Sequence, residues 1–133
     1  MRLAVGAALI GAACACACAR AGEAAPPSAA VLTAGERAFQ KCYACHSVDP
    51  ADKGADGPTL HGVVGRKVAA LPGYPYSDAM KAYSADGKTW TRERLEAYLA
   101  HPQEVVPHNA MSFFGIADAQ ERAALVAWLA VQR

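Results

Sequence analysis

The sequence predicts an all-α fold of about four helices joined by long loops, in one small domain behind a removable leader. Three observations carry this. Polar caps followed by apolar residues at helical spacing mark four segments, and no stretch alternates convincingly as a strand. The connections between those segments are long and rich in glycine and proline. Hydrophobic residues make up 53% of the chain, yet much of that is alanine near the start. So few Leu, Ile and Phe remain beyond it that chain packing alone makes a marginal core. Loops of such length in so small a domain imply that something other than the chain organises them, and a large bound group would also stabilise the folded state.

The chain begins like an export signal. Met1-Arg2 is a minimal charged start, and an uncharged apolar run follows from Leu3 to Ala13. Ala17-Cys18-Ala19 and Ala19-Arg20-Ala21 are small-residue cleavage sites, so residues 1–21 read as a signal peptide. The run is too short for a membrane span. Cys14, Cys16 and Cys18 raise a second reading, in which one leader cysteine is lipidated and anchors the domain. Without residues 1–21 the chain keeps 11 basic and 12 acidic side chains. That excludes a polybasic nucleic-acid footprint, so no nucleic-acid partner is expected.

Residues 22–32 read as a flexible Pro/Ala-rich lead-in, and residues 33–133 as the domain. Thr33, with Glu36 in capping-box register, predicts a helix from Ala34 to about Ala44. A loop follows from Asp49 to Gly62. Leu71 to Pro75 breaks the chain again, and Ser77 caps a short helix reaching Tyr83. Thr91 caps a third helix with Leu95, Tyr98 and Leu99 on one face, stopped near Pro102. A further loop runs to Ile116. Asp118 caps the last helix, where Leu125, Val126, Trp128 and Leu129 recur at helical spacing.

The chemistry lies in Cys42-Tyr43-Ala44-Cys45-His46, the C-x-x-C-H pattern of covalent haem attachment. Two thiols three residues apart on a tight turn can add to the two vinyl groups on one side of a haem. The histidine after them then lies under the ring, within reach of the iron. A zinc site needs a second ligand pair, and His61, His101 and His108 are not spaced as one. A thioredoxin-like redox pair needs flanking strands. The second axial ligand is open at this point among Met80, Met111, His61, His101 and His108. The loop with Met111 and its two neighbouring histidines is irregular and proline-bounded, and Phe113-Phe114 follows it. It suits a strap across the second haem face.

From Gly35 to Trp128 the chain resembles the class I c-type cytochromes, close to the mitochondrial and purple-bacterial soluble cytochromes c. Gly35-Glu36-Arg37-Ala38-Phe39 resembles that family's first-helix signature. Gly57-Pro58-Thr59-Leu60-His61-Gly62 and Gly65-Arg66-Lys67 match its haem loop, and Pro72 to Ala79 its propionate segment. Thr89-Trp90, Tyr98-Leu99, Pro102 and Pro107 lead with the family's spacing to Met111 and Phe113, and Gly115-Ile116 with Leu125 and Trp128 complete it.

The resemblance implies a small cytochrome c fold wrapped around one covalently attached haem, with the N- and C-terminal helices crossing. It implies His46 and Met111 as iron ligands, and the Pro58 carbonyl as acceptor for the other ring N–H of His46. Arg66, Tyr76 and Trp90 are expected to hold the propionates, and Tyr98 to bond toward the Met111 sulfur. Phe113 stands at the haem edge. Met80 is read as packing and His61 as structural. His108 falls at a family glycine and Asn109 at a family threonine that reaches a propionate. That departure points to a looser methionine loop and makes His108 a candidate alternative ligand at raised pH.

A His/Met pair implies a carrier of single electrons rather than an enzyme; the export signal makes it periplasmic, and a monomer is expected. Its expected partners are membrane complexes: a quinol-oxidising donor, and an oxidase or photosynthetic reaction centre as acceptor. The alternatives are a lipid-anchored cytochrome held on a respiratory complex, and a peroxidase or small-ligand binder if Met111 dissociates. Only five lysines are present, Lys41, Lys53, Lys67, Lys81 and Lys88, so weak electrostatic steering is expected.

Overall fold

The computed structural model describes residues 25–52 and 56–133. The signal peptide, its cleavage sites and the three leader cysteines lie outside the described residues. Five helices follow one another: α1 (Ala29–Phe39), α2 (Asp78–Tyr83), α3 (Arg92–Ala100), α4 (Pro102–Val105) and α5 (Ala119–Leu129). Among the described residues there is no strand, only an isolated antiparallel bridge between Lys67 and Thr89.

Three caps stand where the sequence places them. The side chains of Ser77, Thr91 and Asp118 accept the N–H groups of Met80, Arg94 and Glu121, at 3.2, 3.2 and 2.7 Å. Two elements differ from expectation. The first helix starts at Ala29, capped by Ser28 accepting from Val31 N–H, so four residues assigned to the lead-in are helical. Ala29 and Ala30 are strong helix formers, and a cap ahead of them outweighs the Thr33/Glu36 box inside. The same helix ends at Phe39, not near Ala44. A separate hydrogen-bonded turn then begins, closed by Cys45 N–H and His46 N–H on the Cys42 carbonyl at 3.0 and 2.9 Å. The helix beyond the four expected is α4. The third helix does stop just before Pro102, at Ala100, and Pro102 then occupies the first position of α4, where a missing N–H costs nothing.

The main packing is α1 on α5, with α3 also against α5. Gly35 is buried in that first crossing. A methyl group there would run into the carbonyl oxygen of Ala124 and the Cβ of Trp128. Phe39 stacks on Trp128 with ring centroids 4.9 Å apart, and Leu125 and Val126 are almost completely buried beneath. Ile116 N–H donates to the Leu99 carbonyl at 2.8 Å, and Gly62 N–H to Gln132 O at 2.6 Å. These two bonds pin the loop before α5 to α3 and the loop after the cysteines to the C-terminus. Between the loops and α3 the apolar residues face a hollow rather than each other.

Candidate haem-binding site

That hollow is a cavity of about 330 Å³, within the roughly 300–1,000 Å³ of small-molecule sites. All eleven residues singled out from the sequence line it: both motif cysteines, His46, Pro58, Arg66, Tyr76, Trp90, Tyr98, Asn109, Met111 and Phe113. Leu60, Val63, Leu95, Leu99 and Leu129 complete an apolar wall. None of His61, His101 or His108 lines it, whereas both Met80 and Met111 do.

The turn after α1 presents the first wall. His46 Nδ1 lies 2.7 Å from the Pro58 carbonyl oxygen. A carbonyl only accepts, so Nδ1 carries the proton and Nε2 keeps its lone pair free. Burial pushes the His46 pKa below its ordinary value, against the opposing effect of the Pro58 bond. Burial thus favours the neutral imidazole that a metal requires, and the Pro58 bond fixes which ring nitrogen is left to bind it. Gly57 makes the approach possible, since a Cβ there would stand 2.5 Å from His46 Cε1 and 2.7 Å from Nδ1.

The motif cysteines are not joined to each other. Burial pushes the Cys42 thiol up to about 11, with Lys41 acting weakly against it. A redox-active C-x-x-C pair has a lowered thiol pKa, so the environment argues against that chemistry. Among the described residues no three His, Cys, Asp or Glu side chains converge as a bare metal-ion site.

The far wall comes from α3 and the loop between α4 and α5. Trp90 and Tyr98 are buried, with ring centroids 5.1 Å apart. Tyr76 Oη accepts the Leu71 N–H at 3.4 Å, which leaves its own proton to donate. Arg66 Nη1 and Nη2 donate to the carbonyls of His61 and Thr59 at 3.2 and 2.9 Å, so part of its guanidinium is committed to the loop. Asn109 departs from expectation. Both its amide hydrogens go to backbone carbonyls, of Pro102 at 3.0 Å and Val106 at 2.8 Å. Its Oδ1 accepts the Met111 N–H at 2.9 Å. It therefore ties the loop, with both amide hydrogens committed to backbone carbonyls and none left for a propionate. Gln103, which also reaches this loop, carries no mark in the sequence, because a polar residue on a short helix has many uses.

Two thiols, a tethered imidazole and a thioether around an apolar slot are the donor set of a covalently held haem iron. A family model described as "Cytochrome c" matches residues 32–132. The chain belongs to the cytochrome c family. The chain is 44% identical to cytochrome c2 of Rhodomicrobium vannielii over 98 residues, which is 74% of this chain and 76% of that one. Among solved structures, cytochrome cH from Methylobacterium extorquens matches with a TM-score of 0.67 and 41% identity, over 74% of this chain and 95% of that one. The ferricytochrome c2 of Rhodopseudomonas palustris matches at 0.68 and 34%, over 77% and 98%. Family membership gives the chain one covalently attached c-type haem with its iron. It is an electron-transfer protein and not an enzyme.

Proposed function

We propose that this cytochrome is an exported, periplasmic carrier that takes single electrons from a quinol-oxidising cytochrome bc complex. It passes them to a terminal oxidase or a photosynthetic reaction centre. The observation that carries this reading is the placement of His46 and Met111 on one mainly apolar cavity, beside the two motif cysteines. In it Cys42 and Cys45 attach the haem, His46 Nε2 and the Met111 sulfur ligate the iron, and the haem supplies a one-electron couple.

The chain's own residues set how that couple behaves. Pro58 fixes the His46 ring and makes it more basic through the Nδ1–H bond. The Met111 thioether is soft and favours the reduced metal, as does the wall of Leu60, Val63, Leu95 and Leu99. Trp90, Tyr76 and Arg66 offer donors to the propionates. With His46 and Met111 both bound to it, the haem iron would offer no place for oxygen or substrate, and the residues at its edge, Cys42, Cys45 and Phe113, would be where electrons enter and leave.

Absorption of the purified holoprotein tests the ligand pair. Thioether ligation gives the oxidised form a weak near-infrared charge-transfer band. The band should vanish in Met111→Leu and persist in Met80→Leu; its loss in the second variant alone would reverse the assignment. Reduced protein added to oxidase-containing membranes should be reoxidised catalytically, and a failure to react would remove the carrier role.

A further inference from the structure

The segment from Val106 to Gly115 contains no helix or strand. It also holds His108, a non-glycine residue, at φ 61°, a left-handed conformation that is strained for an L residue. Met111 sits only half-buried within it, between the exposed Ala110 and Ser112. Its two immediate chain neighbours bury little apolar surface, so the Met111 backbone depends on hydrogen bonds to hold its place.

Asn109 is 8% exposed, one of two buried polar residues among those described. From that position it grips Pro102 O, Val106 O and Met111 N–H at once. Gln103, from α4, donates Nε2 to the Met111 carbonyl at 3.3 Å and to the Asn109 carbonyl at 3.5 Å. The Phe113 N–H reaches the same Met111 oxygen at 2.9 Å. Both backbone polar groups of Met111 are thus held by side chains that are themselves anchored on or beside α4. The grip closes around the one residue of the loop that carries a thioether into the cavity.

We propose that Asn109 and Gln103 are positioning residues for Met111: they hold its backbone so that the sulfur stays on the iron, and they limit how easily another ligand displaces it. This rests on Met111 being the sixth ligand. Neither residue touches the iron. Asn109→Ala removes three bonds together and leaves only the Gln103 and Phe113 bonds to the Met111 carbonyl to resist its swinging outward.

Imidazole is the probe, added to the oxidised holoprotein as a competitor for the place of Met111. Asn109→Ala should raise imidazole affinity at least about tenfold and speed hydrogen exchange of the Met111 amide similarly, given the loss of a buried bonded group. Gln103→Ala should raise affinity by about threefold, as expected for one exposed bond. Val126→Ala, in the core of α5 and away from the cavity, should lower the melting temperature without changing imidazole affinity. Equal affinities in all variants, or shifts no larger than that of Val126→Ala, would overturn the proposal. Gln103 is exposed, so its variant decides the matter if Asn109→Ala does not fold. A near-infrared band that survives in Met111→Leu removes the ligand reading and this proposal with it. A band that needs Met111, combined with unmoved affinities, removes this proposal alone.

Discussion

His46 is held from two sides: the Pro58 carbonyl takes its Nδ1–H at 2.7 Å, and Gly57 leaves a gap where any side chain would strike the ring. Gly57 is not among the glycines with positive φ, so alanine fits the backbone there and only the contact opposes it. Gly57→Ala should destabilise the holoprotein by about 1–3 kcal/mol, the usual range for overpacking, read as a lower denaturant midpoint. Tyr98 gives a pH effect of definite sign. Burial raises its pKa from 10.0 to about 12. Between those values the unfolded chain loses the proton while the native one keeps it. Stability therefore falls as pH rises through that window. Tyr98→Phe should flatten this part of the decline, measured by denaturant titration of both proteins across the alkaline range. Which residues matter at this scale was largely legible, since Cys42, Cys45, His46 and Pro58 stand in motifs with short fixed spacing. Asn109 was legible as a position but not as a task. Whether an amide faces a propionate or its own loop depends on backbone turns that no local pattern encodes.

At the scale of elements, the crossing of α1 and α5 hangs on Gly35. Alanine is the better helix former by about 1 kcal/mol. At Gly35, however, the added methyl would meet the Ala124 backbone oxygen, which cannot turn aside. Gly35→Ala should therefore come out net destabilising, and Gly35→Leu should prevent the two helices from docking, both visible in thermal melts followed by circular dichroism. Helix positions were well read wherever one polar cap preceded a clear apolar face, as at Ser77, Thr91 and Asp118. The reading failed at both ends of α1. There a capping box inside an alanine-rich stretch competed with Ser28, and the haem-attachment turn mimics one more turn of helix. Pro102 shows the other ambiguity: the same residue that ends α3 begins α4.

For the whole molecule, the central cavity means that the haem is part of the core. Val63, Leu95, Leu99 and Leu129 belong to the packed core and also line the cavity, so removing the group leaves their cavity-facing sides exposed to water. A Cys42→Ala/Cys45→Ala chain, unable to hold haem covalently, should show much reduced helicity and no cooperative melt in circular dichroism at ambient temperature. Charge also acts at this scale. Of the lysines among the described residues, Lys41 pairs with Glu121 at 2.6 Å, Lys81 with Asp78 at 3.3 Å and Lys88 with Asp86 at 2.5 Å. Meanwhile Tyr43 and Phe114 are 69% and 101% exposed beside the motif and the methionine loop. Docking should depend more on apolar contact than on steering. The rate of electron transfer to oxidase membranes should thus fall only shallowly between low and moderate salt.

The clasp between α1 and α5 joins the first helix among the described residues to the last. A clasp of that kind cannot close until the final residues have emerged and reached back across the whole length. Contacts so distant in sequence form late, because the loop between them must be ordered first. Until then the turn that carries Cys42 and Cys45 stays open on both faces, and the Cys42 thiol is spared the burial that holds its proton so firmly. An open chain is thus the more accessible substrate for attachment, and closure then covers what has been attached.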